Sequence, residues 1–142
     1  GIKISSIINS GELVSDEIVS ILIEKFVSNE KFKGKLIFDG YPRTLPQAKN
    51  LENLLNKSNQ KLDFIFFLNV KKETIIKRIE KRKILENRSD DESNTILKRY
   101  DIYMDKTKPV LDYYSSKKEF HEIDGNLQIN QISEKMLGIL NV

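Results

Sequence analysis

The sequence LIFDGYPRTLPQ at residues 36–47 decides how this chain is interpreted. Residues 36–38 form a short apolar run, which predicts a buried strand of a parallel sheet. Asp39 and Gly40 then predict a loop, and Thr44 predicts the start of a helix. Because ligands of open α/β sheets bind at the carboxyl ends of strands, this loop is where a binding site is expected.

The residues of the loop also have the chemistry of an anion site. Gly40 permits a close approach of backbone to ligand, and Arg43 offers a planar fork of donors for a phosphate. Thr44 and Gln47 form the pattern of a capping box, which accounts for both residues without a ligand. For Gln47, the whole motif favours a ligand role beside the capping role.

The rest of the chain alternates between helical and strand patterns. Buried apolar strands that alternate with helices predict a parallel α/β sheet. Strands are predicted at 36–38, 64–68 and 120–123. Helices are predicted at 2–9, 15–28 (with Ser15 as N-cap), 44–55, 72–82, from about 90 until before Pro109, at 110–114, and at the C-terminus, where Ile129, Ile132, Met136, Leu137 and Leu140 recur.

Composition sets the limits on function. A chain of 142 residues with 39% apolar and 32% charged residues is typical of one globular domain. The absence of cysteine excludes disulfides and a cysteine-based zinc site. No apolar run approaches the ~20 residues of a membrane helix, and no signal peptide is visible, so the cytoplasm is the expected compartment. A net charge of +3 suits an anionic ligand such as a nucleotide but is too weak to indicate nucleic acid.

The stretch at 36–47 resembles the signature of the adenylate kinases. That signature is a hydrophobic triplet followed by Asp-Gly-(Phe/Tyr)-Pro-Arg, with a glutamine four residues after the arginine. The resemblance extends from Gly11-Glu12-Leu13-Val14 to the last helix. It implies a P-loop NTPase-type fold with a three-layer parallel sheet, and the reaction of ATP and AMP to two ADP. It also implies Mg²⁺ but no zinc, a monomer, and neither nucleic acid nor a membrane as partner.

The resemblance also implies roles for individual residues on the AMP side. Arg43 would bind the AMP phosphate and Gln47 would read the adenine edge. Asp39 would act on the magnesium ion through water. The remaining AMP-binding residues implied are Glu12, Leu13, Val14, Gly40, Tyr41, Pro42, Arg88 and Arg99.

On the ATP side, the implied residues are Arg78, Arg82 and Leu127. Arg78 and Arg82 lie four residues apart and share one helix face, and the alternative is that they belong to a solvated basic face. Arg43, Arg88 and Arg99 form the implied catalytic set, because phosphoryl transfer needs alignment and positive charge around the phosphates. Ser89 and Glu92 form a second capping-box pattern, and no function is assigned to His121.

The chain departs from the family in two respects. It contains no phosphate loop of the form G-x-x-x-x-G-K-[ST], which the resemblance would put upstream of Gly1. Residues 1–142 are therefore interpreted as an N-terminally truncated core fragment with an incomplete sheet. Residues 1–30 would end the AMP-binding subdomain, and 83–87 would form a short lid without metal. We expect this chain alone to be inactive and poorly stable, because a missing strand leaves backbone groups unpaired.

Three other functions stay open from the sequence. The first is a uridylate or cytidylate kinase, against which Gln47 argues because an amide can pair with an adenine edge. The second is a non-catalytic nucleotide-binding or interaction module. The third is a nucleic-acid-binding domain built on the helix at 72–82, which is disfavoured because aromatic residues for base stacking on a sheet face are not evident.

Overall fold

The computed structural model describes residues 15–86 and 93–141, which fall into two compact units that meet in sequence between Lys61 and Leu62. The described elements are α1 (Asp16–Val27), a 3₁₀ turn (Glu30–Phe32), α2 (Leu45–Lys57), β1 (Ile65–Asn69), α3 (Lys72–Glu86), α4 (Ser93–Tyr114), β2 (Phe120–Asp124) and α5 (Ile129–Leu140). The predictions that lie outside the described residues are the helix at 2–9, the site residues Glu12, Leu13, Val14 and Arg88, and the capping box Ser89–Glu92.

The first unit is built on α1 and α2, as the sequence predicts. Ser15 caps α1, since its Oγ accepts a hydrogen bond from the Ile18 N–H at 3.4 Å. The predicted apolar stripe of α2 is buried at Ala48, Leu51, Leu54 and Leu55. On α1 the buried residue is Val27, whereas Phe26 is 48% exposed, so the predicted apolar face of this helix is only partly covered.

Polar side chains join the segments of this first unit. The Gln60 carboxamide donates to the Val27 carbonyl at 3.0 Å and accepts from the Gly34 N–H at 3.1 Å. Asn50 of α2 donates to the Ser20 hydroxyl of α1 at 2.7 Å. Both helices are thereby fixed to each other and to the turn that follows α1.

The predicted strand at 36–38 is wrong. The backbone there is irregular, and the Ile37 side chain is 93% exposed. An apolar run becomes a strand only when a neighbouring strand pairs with its N–H and C=O groups, and within residues 15–86 and 93–141 no strand pairs with this run.

The second unit contains a parallel sheet of β1 and β2, which confirms two predicted strands to within one residue. Ile65 pairs with Phe120 and Asn69 with Asp124, in a continuous parallel register. In β2, Ile123 is buried. In β1, Leu68 is 41% exposed, so this strand is only half covered. The prediction that β1 is a fully buried strand is therefore wrong. The mixed helical and parallel-strand architecture is the α/β class that the sequence predicts.

Two helices of this unit are longer than the sequence predicts. The predicted helix break at Pro109 is wrong, because α4 continues through this residue to Tyr114. Proline lacks the N–H for the ladder, but Val110 and Tyr114 beyond it are buried, and this packing favours continuation of the helix. The backbone of α3 runs to Glu86, so most of the segment predicted as a lid is its last turn. None of the helices that the structure describes is long and apolar enough to cross a membrane.

Gly125 makes the tight turn that follows β2. Its N–H donates to the Asn69 carbonyl at 2.9 Å, at the end of β1. A Cβ atom at this position would collide with the Val70 side chain and lie 3.3 Å from the Asn69 carbonyl oxygen. Only glycine therefore lets the chain turn this close to β1.

We predict that Gly125→Ala lowers the free energy of unfolding by about 1–3 kcal/mol, because the added methyl group forces the turn away from β1. The matched control is Gly138→Ala, since Gly138 lies in α5 with no atom within 4 Å of an added Cβ. That control should stabilise the protein by about 0.5–1 kcal/mol through helix propensity. Urea unfolding measures both values, and equal effects at the two sites would contradict the prediction.

Candidate functional site

The loop between residues 39 and 44 folds back on its own arginine. Gly40 has a φ of +68°, which glycine adopts without strain. The Nε of Arg43 donates to the Gly40 carbonyl at 2.7 Å. A Cβ at Gly40 would lie 3.1 Å from Nη2 of Arg43, so the missing side chain is what leaves room for the guanidinium.

Gln47 closes this loop onto the start of α2. Thr44 is the N-cap, and its Oγ1 accepts from the Gln47 N–H at 3.3 Å, as predicted. The return bond of the capping box differs by one residue: Oε1 of Gln47 accepts from the N–H of Arg43 at 2.8 Å, not from that of Thr44. The side chain of Gln47 therefore fixes the backbone of the arginine.

Asp16 contacts this loop through Gln47, and sequence reasoning missed it as a residue of the candidate site. Nε2 of Gln47 donates to Oδ1 of Asp16 at 2.7 Å, across 31 residues of sequence. The sequence explains Asp16 as an acidic residue in the first turn of α1. No local pattern links the two positions, because their contact arises from the packing of α1 against α2.

Tyr41 contacts both Gln47 and Phe38. Its hydroxyl donates to the Gln47 carbonyl at 3.4 Å, and its ring lies 6.2 Å from that of Phe38. Burial raises the pKa of the Tyr41 hydroxyl, the hydrogen bond with the Asn50 side chain lowers it, and the Asp16 carboxylate adds to the increase. The Tyr41–Pro42 peptide bond is cis, and both residues are half-buried.

The charged groups of the loop face solvent. Asp39 and Arg43 are both exposed. The Arg43 backbone N–H and Nε are engaged within the loop, while no partner for Nη1 or Nη2 is found among the residues that the structure describes. The first unit thus carries an exposed guanidinium at Arg43 and a half-buried amide at Gln47 within one loop and helix start.

In the second unit, a hydrogen-bonded turn joins the carboxyl ends of the two strands. Oδ1 of Asp124 accepts from the backbone and side-chain nitrogens of Asn126, at 2.9 and 2.8 Å. These two bonds, the backbone one first, lower the pKa of the Asp124 carboxyl. Oδ1 of Asn126 in turn accepts from the Lys71 N–H at 3.0 Å, after β1.

The second unit brings two of the sequence-predicted residues together. Nη2 of Arg78 donates to the Leu127 carbonyl at 3.2 Å, so the basic helix α3 contacts the turn after β2. Arg82 is half-buried on α3 and Arg99 is exposed on α4, and both take part in further interactions. The sequence Asp-Gly-Asn after a strand is a turn signal, and the side chains of Asp124 and Asn126 hold this turn in place.

Neither unit contains a preformed metal site in its described part. Over residues 15–86 and 93–141, no three His, Cys, Asp or Glu side chains are grouped closely enough to hold a metal ion. Asp39 therefore stands as a single exposed carboxylate at the start of the loop.

The chain is similar in sequence to known proteins over its whole length. The sequence model of a family described as adenylate kinase matches residues 1–119. Relatives named adenylate kinase include one from Pelagibacter ubique (strain HTCC1062), which is 40% identical over 168 aligned positions that cover 100% of this chain and 79% of the relative. Another, from Caulobacter sp. (strain K31), is 36% identical over 142 positions that cover 100% of this chain and 75% of the relative. A third, from Porphyromonas gingivalis (strain ATCC BAA-308 / W83), is 36% identical and covers 94% of this chain and 69% of the relative.

The raised pKa of Tyr41 yields a prediction about alkaline stability. The folded state holds the hydroxyl proton more tightly than the unfolded state, in which the pKa is near 10.0. This contribution to stability is therefore present below pH 10 and is lost as the pH rises through the folded-state pKa. We expect the free energy of unfolding to fall more steeply as the pH rises above about 10 in the unmodified protein than in Tyr41→Phe.

Urea unfolding across that pH range tests this expectation. The control is Tyr103→Phe, because Tyr103 is 46% exposed on α4. This control should keep the steep alkaline loss of stability. If Tyr41→Phe kept it as well, the assignment of the titration to Tyr41 would be refuted.

Proposed function

Because the chain belongs to the adenylate kinase family, we propose that its protein transfers the γ-phosphoryl group of ATP to AMP and forms two ADP. Membership of the family makes the protein a nucleoside monophosphate kinase, and the proposal concerns its acceptor and the residues that bind it. The observation that carries the proposal is the loop of residues 39–47, in which the half-buried Gln47 amide accepts a hydrogen bond from the Arg43 backbone N–H while the Arg43 side chain is exposed.

Arg43 is proposed to bind the AMP phosphate and to act in catalysis. Its guanidinium is held through Nε by the Gly40 carbonyl, and among the described residues no partner takes Nη1 or Nη2. Two parallel N–H groups match two phosphate oxygens, and such charge-assisted pairs are about twice as strong as neutral hydrogen bonds. Gly40, Tyr41 and Pro42 form the backbone of the same site.

Gln47 is proposed to read the adenine edge. Adenine presents an amino donor beside a ring-nitrogen acceptor, which a carboxamide can match with its oxygen and its nitrogen. The amide is half-buried, so a base without this pattern would leave polar groups unpaired. Glu12, Leu13 and Val14, outside the described residues, are proposed to line the same base on the strength of the sequence resemblance.

The second unit is proposed to bind ATP. Arg78, Arg82 and the backbone around Leu127 are candidates, and the bond between Arg78 and the Leu127 carbonyl supports a common site for them. Arg99 is exposed on α4 and, with Arg88 from outside the described residues, is proposed to touch the AMP phosphate and the transferring group. Positive charge from several segments is what phosphoryl transfer needs, and no side chain is assigned as a base.

Mg²⁺ is proposed to enter with ATP, and the residues present fit this mode of binding. A single exposed carboxylate at Asp39 suits a Mg²⁺ ion that keeps most of its waters and takes its other ligands from phosphates. When bound, the ion would neutralise charge on the phosphate oxygens. Asp39 would hold one of its waters.

Further proposals concern the lid and the chain by itself. Residues 83–87 are proposed to form a short lid, as the sequence resemblance implies, and residues 83–86 of it lie in the last turn of α3. Residues 1–142 contain no phosphate loop, and we propose that they are inactive without one. A cytoplasmic monomer remains the proposed state.

The acceptor is tested with the full-length protein. Initial rates with Mg-ATP and AMP, UMP or CMP give kcat/KM for each acceptor. A clear preference for AMP supports the proposal. Equal or better use of UMP would replace it with a pyrimidine kinase, and AMP binding without turnover would favour a non-catalytic nucleotide-binding module.

We predict that Arg43→Ala raises KM for AMP and lowers kcat/KM by at least about 100-fold, which corresponds to the ~3 kcal/mol of a charge-assisted pair. Arg43→Lys keeps the charge but loses the fork, so it should recover only part of this loss. The matched control is Lys49→Ala, which removes one exposed positive charge from α2. A fully active Arg43→Ala protein would refute the role of this side chain.

Gly40 and Gly34 offer a second test of the loop. Both have positive φ angles, +68° and +71°, so alanine costs each a similar backbone strain of about 1–2 kcal/mol. Only at Gly40 would the added Cβ meet the Arg43 guanidinium. We therefore expect similar losses of unfolding free energy but a several-fold increase in KM for AMP in Gly40→Ala alone. Equal KM values in the two variants would contradict this.

A further inference from the structure

Two partners of opposite polarity fix the orientation of the Gln47 amide. At one end the Arg43 N–H can only donate, so it requires the amide oxygen. At the other end a carboxylate oxygen of Asp16 accepts, so it requires the amide nitrogen. A rotation of the amide by 180° would put donor against donor and acceptor against acceptor. The observed assignment follows from these chemical identities.

Each end of the amide keeps one hydrogen-bonding position for a ligand. The oxygen has two lone pairs and accepts one bond from Arg43, while the nitrogen has two hydrogens and donates one to Asp16. Among the described residues no partner takes the second lone pair or the second hydrogen. The site therefore offers one acceptor beside one donor, in a fixed order.

We propose that Asp16 is a specificity-determining positioning residue, which holds the Gln47 amide in the order that matches a 6-aminopurine and rejects a 6-oxopurine. This inference rests on the proposed function. In AMP the group at position 6 is an amino donor, which meets the amide oxygen. In IMP it is a carbonyl acceptor, which would face that same oxygen and be repelled unless the amide rotated.

Asp16 is suited to this role by its place on α1. It is the first residue of the helix, after the N-cap Ser15, so its backbone is held by the helix rather than by a loop. The acidic side chain of Glu17 shares the first turn and its favourable position at the helix start, but no hydrogen bond links it to Gln47. The orienting function is therefore separable from the general effect of an acidic residue at a helix N-terminus.

The test measures acceptor choice in the full-length protein. Asp16→Ala, Asp16→Asn and Glu17→Ala are compared with the unmodified protein, using Mg-ATP with AMP or IMP as acceptor. Alanine and asparagine both remove the charge, but asparagine keeps an oxygen that can accept from the Gln47 amide. Unfolding free energies are measured in parallel, so that a loss of fold is recognised as such.

We expect Asp16→Ala to lower the ratio of kcat/KM for AMP to that for IMP by about tenfold, the effect of about 1.4 kcal/mol. The change should come from a higher KM for AMP and a lower KM for IMP, with kcat for AMP nearly unchanged. Asp16→Asn should keep the ratio within about threefold of the unmodified protein, since its oxygen replaces the lost acceptor. Glu17→Ala should leave the ratio unchanged.

Several outcomes would overturn the inference. A parallel decrease for AMP and IMP in Asp16→Ala would give Asp16 a structural role only, and an unchanged ratio would give it no role in selection. Loss of discrimination in Asp16→Asn to the level of Asp16→Ala would identify charge, not the acceptor oxygen, as the cause. If the unmodified protein does not prefer AMP to IMP, the proposed acceptor itself fails, and this inference fails with it.

Discussion

The candidate acceptor site depends on the two hydrogen bonds of the Gln47 carboxamide. It accepts from the Arg43 backbone at 2.8 Å and donates to Asp16 at 2.7 Å, so one side chain joins the loop, the start of α2 and the start of α1. Without it, the loop would be anchored by the Thr44 cap and the contacts of Tyr41 alone. Under the proposed function, the same amide would also face the base, in an order that the fold already sets.

The second unit is organised by another small polar network, around the turn after β2. Asp124, Asn126 and the Lys71 N–H hold the ends of the parallel strands together, while Gly125 lets the backbone pass close to β1. Arg78 reaches the same turn from α3. The carboxyl ends of parallel strands are where α/β proteins bind ligands, and here that position is occupied by backbone groups held in place by short side chains.

The sequence predicts well whatever depends on local pattern. The caps at Ser15 and Thr44 depend on neighbours within a few residues, and both are found as predicted. The strands β1 and β2 lie within one residue of their predicted bounds, and each has the other as its partner. What depends on a distant partner is not predicted. Residues 36–38 have the composition of a strand but no neighbouring strand to pair with in the described part of the chain, and the helix passes Pro109 because later residues are buried. The contact of Asp16 is not predicted for the same reason, since its partner Gln47 lies 31 residues away. The roles proposed for the arginines come from a family resemblance, and the described geometry brings Arg43 to Gly40 and Gln47, and Arg78 to Leu127.

The bond between Nε of Arg43 and the Gly40 carbonyl has a thermodynamic consequence. A free arginine side chain carries up to about 2 kcal/mol of rotational entropy, and most of it is lost when an anion immobilises the guanidinium. In this loop, part of that loss has already occurred during folding. An incoming anion therefore meets a partly ordered partner, and more of the Coulomb attraction is available as affinity. The Arg43 guanidinium is therefore less mobile than that of a typical surface arginine, because one of its nitrogens is already hydrogen-bonded to the loop.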